Sequence, residues 1–97
     1  MSGYDIRKLA LTPAQKILSE VADRHGLTVA DLRGRSRGTT IVRARQEAMY
    51  RLRAELTLSC PTVAGVINRD HTTVSHGAHA HADRHGLPKT WRTREAR

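Results

Sequence analysis

The pattern that most constrains this chain is the break between two helical stretches at Asn68-Arg69-Asp70. On its N-terminal side Ser59-Cys60-Pro61 opens a short segment in which Val63, Val66 and Ile67 are available for burial. Pro61 falls in the first turn, where its missing N–H costs nothing. On the C-terminal side Asp70 is a strong N-cap, because its carboxylate accepts bonds from free backbone N–H groups and complements the helix dipole. Asn68 tolerates the left-handed backbone that ends the first helix. The pair therefore has helix-turn-helix proportions. At about 100° per residue, Val74, Ala78 and Ala82 share one side of the second helix, while Thr72, His76, His79 and Asp83 share another.

The rest of the chain is punctuated in the same way. Thr12-Pro13 is a helix start, followed by a stripe of Ile17, Leu18, Val21 and Ala22 that Gly26 ends after His25. His25 reads as a last-turn partner of the helix dipole. Thr28-Val29-Ala30-Asp31 has capping-box spacing and opens a short helix buried through Val29 and Leu32. Thr40 is expected to cap the longest helix, about residues 41–57, with Ile41, Ala44, Ala48, Met49, Leu52 and Leu56 on its apolar face. Gln46, Tyr50 and Arg53 fall together on another face. The last helix should fade near Gly86-Leu87-Pro88.

This division gives an N-terminal arm (1–11), one helical domain (12–86) and a basic C-terminal tail (87–97). With 97 residues there is room for one core, and without any Phe that core must use Leu, Ile, Val, Ala and Met. The expected class is all-α, a small helical bundle containing the helix-turn-helix. Seventeen Lys and Arg against nine Asp and Glu leave a net charge of +8, which favours a polyanionic partner, nucleic acid foremost. Cys60 is the sole cysteine, so no internal disulfide can form, and a reducing compartment is expected. No apolar run has the roughly 18 residues of a membrane span, and the start is polar, without a signal-peptide core. A cytoplasmic, nucleoid-associated location is expected.

Four features carry chemistry. Short hydroxyl and imidazole side chains at the N-terminal end of the Asp70 helix suit major-groove readout, although a capped helix with merely solvated polar residues has the same pattern. Arg33-Gly34-Arg35-Ser36-Arg37-Gly38 alternates arginine with small residues. Such a stretch cannot bury a face, but it can lay guanidinium groups along phosphates or into a minor groove; the plain alternative is a solvated basic loop. Arg45 lies within the apolar arc of the long helix, where an unpaired guanidinium is costly unless it reaches phosphate or a carboxylate. Trp91 can dock on the domain, stack on a base or anchor a protein.

Taken together these residues resemble the C-terminal, origin-box-binding domain of the bacterial replication initiator DnaA. The resemblance runs from about Ile17 to Asp83 and is sharpest in Arg69-Asp70-His71-Thr72-Thr73-Val74 followed by His76. Ordered, weaker matches are Val29-Ala30-Asp31-Leu32, the basic loop, Ala44-Arg45-Gln46 and Glu55-Leu56-Thr57. The resemblance implies a domain that binds duplex DNA as a monomer. Asp70, His71, Thr72 and Thr73 would then face bases in the major groove and Arg37 the minor groove. Arg45, Gln46, Arg53, Arg69 and His76 would lie at phosphates, with Arg35 of the loop beside them. Asn68 stands where the family usually has glycine, His79 and Ala80 replace a usual basic pair, and His81 takes a typically aliphatic position.

The chain holds no Gly-x-x-x-x-Gly-Lys-[Ser/Thr] sequence, so no ATP binding through a P-loop, no cofactor and no enzymatic activity are expected. The expected role is that of a stand-alone bacterial or phage regulator that occupies origin-like boxes or promoters, controlling replication or transcription. A second reading has residues 1–11 or the Trp91 tail hold a protein partner at DNA. A third, metal binding by His81 and His85 at i, i+4, lacks the accompanying His-Glu-x-x-His glutamate, so no metal site is assigned.

Overall fold

Each helix but one starts where a side chain takes up its free N–H groups. In the computed structural model, which describes residues 11–91, helix α1 spans Pro13–Arg24. The Thr12 hydroxyl accepts the Gln15 N–H at 3.2 Å, and Gln15 Oε1 accepts the Thr12 N–H at 2.9 Å. Helix α2, Val29–Arg33, is capped by the same reciprocal pair between Thr28 and Asp31, at 3.0 and 2.9 Å. Helix α4, Cys60–Ile67, is capped by Ser59, and α5, His71–His85, by Asp70.

The exception is α3, Thr39–Glu55, whose N-cap is Gly38 with no side-chain hydrogen bond. Thr40, expected to be the cap, is instead the second residue of the helix. At the other end Thr57 adopts a φ of +56°, which stops the helix short of the expected residue 57. Gly26 and Gly86, at φ of +68° and +63°, turn the chain after α1 and α5.

Helix α3 packs against all four others, most extensively against α5. Ala44, Ala48, Met49 and Leu52 meet Val74, Ala78 and Ala82, all buried. Gly77 allows the two helices to come close, since a Cβ there would stand 2.3 Å from Met49 Sδ. The face assigned to Gln46, Tyr50 and Arg53 is not a solvated one: Tyr50 and Arg53 are buried. They are covered because the chain after α5 folds back. The Tyr50 hydroxyl donates to the Pro88 carbonyl at 2.8 Å, and Lys89 Nζ lies 2.6 Å from Asp83 Oδ1. Trp91, 1% exposed, sets its ring edge-on to Tyr50 at 5.4 Å, with Arg53 Cζ 5.2 Å from the indole centroid. Of the three expected roles of Trp91, docking is the one its position fits. The N-terminal arm up to residue 10 and the basic tail from residue 92 lie outside the described residues.

Candidate nucleic-acid interface

The N-terminal end of α5 is open to solvent. Asp70, His71, Thr72, Thr73 and His76 are all exposed, while Val74 between them is fully buried. Asp70 Oδ2 accepts the Thr72 N–H at 3.0 Å, which fixes the first turn, and His71 Nδ1 stands 3.8 Å from Asp70 Oδ1. Helical spacing thus divides one short stretch into a packed side and a row of hydroxyl, imidazole and carboxylate groups.

The turn before α5 is tied to the basic loop. Asn68 is left-handed, at φ 59° and ψ 50°, and its Nδ2 donates to the Arg33 carbonyl at 3.2 Å. Arg69 donates from Nη1 to the carbonyls of Asn68 at 2.7 Å and Arg33 at 3.4 Å, and from Nη2 to that of Gly34. These bonds hold the exposed Arg35 and Arg37 beside the helix-turn-helix. Arg35, Arg37, Arg45 and Arg69 border a hollow of about 370 Å³. A second, of about 400 Å³, lies between α3 and α5 and is lined by Arg45, Gln46, Arg69, Thr73 and His76 among others. Ten of the eleven residues expected at DNA therefore gather at one end of the molecule, Arg53 being the exception.

Two of the expected phosphate residues are placed otherwise than expected. Arg45 is 5% exposed and points inward, donating from Nε to Leu32 O at 2.8 Å and from Nη2 to Asp31 O at 3.0 Å and Gly34 O at 2.8 Å. Nη1 donates to Ser36 O. The conflict seen in the sequence is resolved by main-chain carbonyls, neither of the two anions expected. Burial first, then the neighbouring Arg69 charge, push its pKa below the ordinary guanidinium value, with Asp31 opposing. Arg53 is 4% exposed, its guanidinium over the Trp91 ring, and donates to Leu58 O at 3.2 Å. It is correctly described as a core residue. Gln46 is half-buried, and its Oε1 accepts from Arg84 Nη2 at 2.9 Å, a contact with no signal in the sequence.

His25 and His81 serve packing. His25, read as a dipole partner, places Nε2 2.9 Å from Oε1 of buried Glu47, which also accepts from Arg24 Nη2 at 2.9 Å. The sequence carries no signal for this contact, because at about 100° per residue Glu47 lies about 60° outside the apolar arc that runs from Ala44 to Met49. His81 is 8% exposed, tilted against Tyr50 at 5.3 Å and against His85 at 4.6 Å. Burial, and next the His85 ring, push its pKa below the ordinary imidazole value. Among the described residues no three His, Cys, Asp or Glu side chains gather as metal ligands, and no helix is long and apolar enough to cross a membrane.

The sequence matches the family described as the bacterial dnaA protein helix-turn-helix over residues 14–80. It is 42% identical over 71 residues, 72% of this chain, to the chromosomal replication initiator protein DnaA of Cutibacterium acnes. It is 41% identical over 68 residues, 69% of this chain, to the protein of the same name from Oenococcus oeni. The chain spans only 14% and 15% of the length of these two relatives. No solved structure gives a significant match.

Proposed function

The chain belongs to the bacterial DnaA helix-turn-helix family, and on that premise we propose that it binds double-stranded DNA sequence-specifically, with α5 in the major groove and the Arg35–Arg37 loop in the minor groove. The observation that carries this reading is the placement of the exposed N-terminal end of α5 beside the arginine loop, both joined through Asn68 and Arg69. Asp70, His71, Thr72 and Thr73 take the bases. Arg35, Arg69, Gln46 and His76 stand where the flanking phosphates run, and Arg37 reaches into the adjoining minor groove. The net charge of +8 supplies the long-range attraction that any such encounter needs.

The bound form is a monomer on a single asymmetric box, since the sequence has no heptad repeat and the described residues no long apolar surface that calls for a paired half-site. The named relatives are chromosomal replication initiators, so the proposed target is an origin-like box or a promoter site. Occupying it, the protein regulates replication or transcription at the nucleoid without an ATPase of its own in this stretch. Selection of binding duplexes from a random pool gives the motif. His71→Ala or Thr72→Ala should then lose about 1–3 kcal/mol on that motif and almost nothing on random duplex. Equal losses on both would count against base reading by α5.

A further inference from the structure

We propose that Arg45 is a positioning residue that sets the Arg35–Arg37 loop in register with the end of α5, in place of the phosphate contact its sequence context suggests. The inference deepens the DNA-binding reading above and rests on it. Four of the five guanidinium N–H donors end on carbonyls of one stretch, those of Asp31, Leu32, Gly34 and Ser36. Helix α2 has only five residues, too few to hold itself, and at its last turn the cap N–H of Gly34 reaches only Asp31 O, at 3.3 Å, leaving the later carbonyls without an intrahelical donor. The segment that follows, Gly34 to Gly38, has glycine at both ends. Left alone, it would leave Arg35 and Arg37 with no fixed relation to any groove.

Arg45 supplies that relation from α3, and Arg69 completes it from the other side. Gly34 O accepts from both guanidiniums, and Arg33 O accepts from Asn68 and Arg69. The carbonyls of five residues between 31 and 36 are thus held by α3 and by the turn that starts α5. With the backbone anchored inward, the side chains of Arg35 and Arg37 are left exposed. A planar fork is required to span carbonyls in this arrangement, and a lysine ammonium has neither the reach nor the donor geometry.

Arg45→Lys separates the two roles, because it keeps the charge and loses the fork. Replacing A·T by diaminopurine·T opposite the loop adds an amino group to the minor groove and leaves the major-groove pattern intact. Wild type should disfavour that duplex by about tenfold. Arg37→Ala and Arg45→Lys should each abolish the discrimination, and the double variant should lose no more than either single one. Retained discrimination in Arg45→Lys, or losses that add to those of Arg37→Ala, would identify a phosphate ligand and overturn the proposal.

A DNA-free arm keeps failure of the parent reading distinct. Amide relaxation by NMR should show residues 34–38 as ordered as the helices in wild type and loosened in Arg45→Lys, with α5 unchanged. A loop equally ordered in both refutes the positioning role whatever happens with DNA. Should the lysine variant not fold, the wild-type Arg45 Nε–H still decides. Slow solvent exchange, unchanged on adding the selected duplex, supports the role; fast exchange in the free protein ends it.

Discussion

Replacing Gly77 by alanine sets two effects against each other at the α3–α5 crossing. In an exposed helix the change would add about 0.5–1 kcal/mol, because glycine loses more backbone freedom on folding than alanine. At this position the new methyl would lie 2.3 Å from Met49 Sδ and 3.4 Å from Gln46 Cγ. Ordinary contact for such atoms is about 3.5–4.0 Å, so the sulfur must retreat by more than about 1 Å. Methionine is adaptable, yet Met49 is 2% exposed, and the room it has is the hollow that it lines with Gly77 between α3 and α5. Overpacking of this kind costs about 1–3 kcal/mol, which exceeds the propensity gain.

The expected net loss is about 1–2 kcal/mol, or a Tm lower by roughly 5–10 °C for a domain of this size. Urea unfolding and calorimetry measure it directly. Met49→Ala alone should cost about 2–5 kcal/mol, but in its background Gly77→Ala should become neutral or stabilising, because the opposing sulfur is gone. A Gly77→Ala protein more stable than wild type in the intact background would refute the close crossing. So would the same Gly77→Ala effect with and without Met49.

Trp91→Ala should destabilise the domain by about 3–5 kcal/mol, and the indole, the only one in the chain, should emit as a buried residue shielded from acrylamide; emission typical of water would contradict its docking. His81 has a folded pKa below its ordinary 6.5, so on acidification the unfolded chain takes the proton first and stability falls as pH drops through 6.5. His81→Leu should flatten that dependence between about pH 7.5 and 5.5, and parallel slopes for the two proteins would dismiss it. With Arg45 and Arg53 buried, the basic groups left at the DNA are Arg35, Arg37, Arg69 and His76, giving a slope of log K against log salt of about −3 to −4, insensitive to added ATP. A flat salt response, or affinity that requires ATP, would contradict this.

The helix ends were legible because capping is local chemistry. Thr12, Thr28 with Asp31, Ser59 and Asp70 each act on N–H groups two or three residues away, and the structure has all of them in place. Gly38 offers no side chain by which to announce a cap, so Thr40 drew the assignment instead. The burial of Tyr50 and Arg53 was illegible for a different reason: periodicity reports one helix against one core. It cannot see that residues 87–91 return to cover a second side of α3. Arg45 lay between these cases. Its conflict with the apolar arc was visible, but the carbonyls that resolve it belong to residues 9 to 14 positions earlier, joined only by the fold.

The buried charged groups on α3 bear on geometry more than on stability. Burying a guanidinium or carboxylate costs several kcal/mol before its hydrogen bonds return any of it, so such groups are weak evidence for a stable core. A crossing lined by Ala44, Ala48, Gly77, Ala78 and Ala82 has the opposite property. It packs closely but has few large side chains to oppose sliding, because alanine surfaces are smooth. Directional bonds oppose sliding where shape does not. Arg45 fixes α2 and the loop against α3, Glu47 fixes the end of α1 through Arg24 and His25, and Arg53 reaches the Leu58 carbonyl while lying over Trp91. The loop and α5 are therefore both referenced to one rigid helix. His71 to Thr73, Arg35 and Arg37 need contribute little to folding, which leaves their chemistry free to be matched to the bases and phosphates they face, while Asp70 also caps α5.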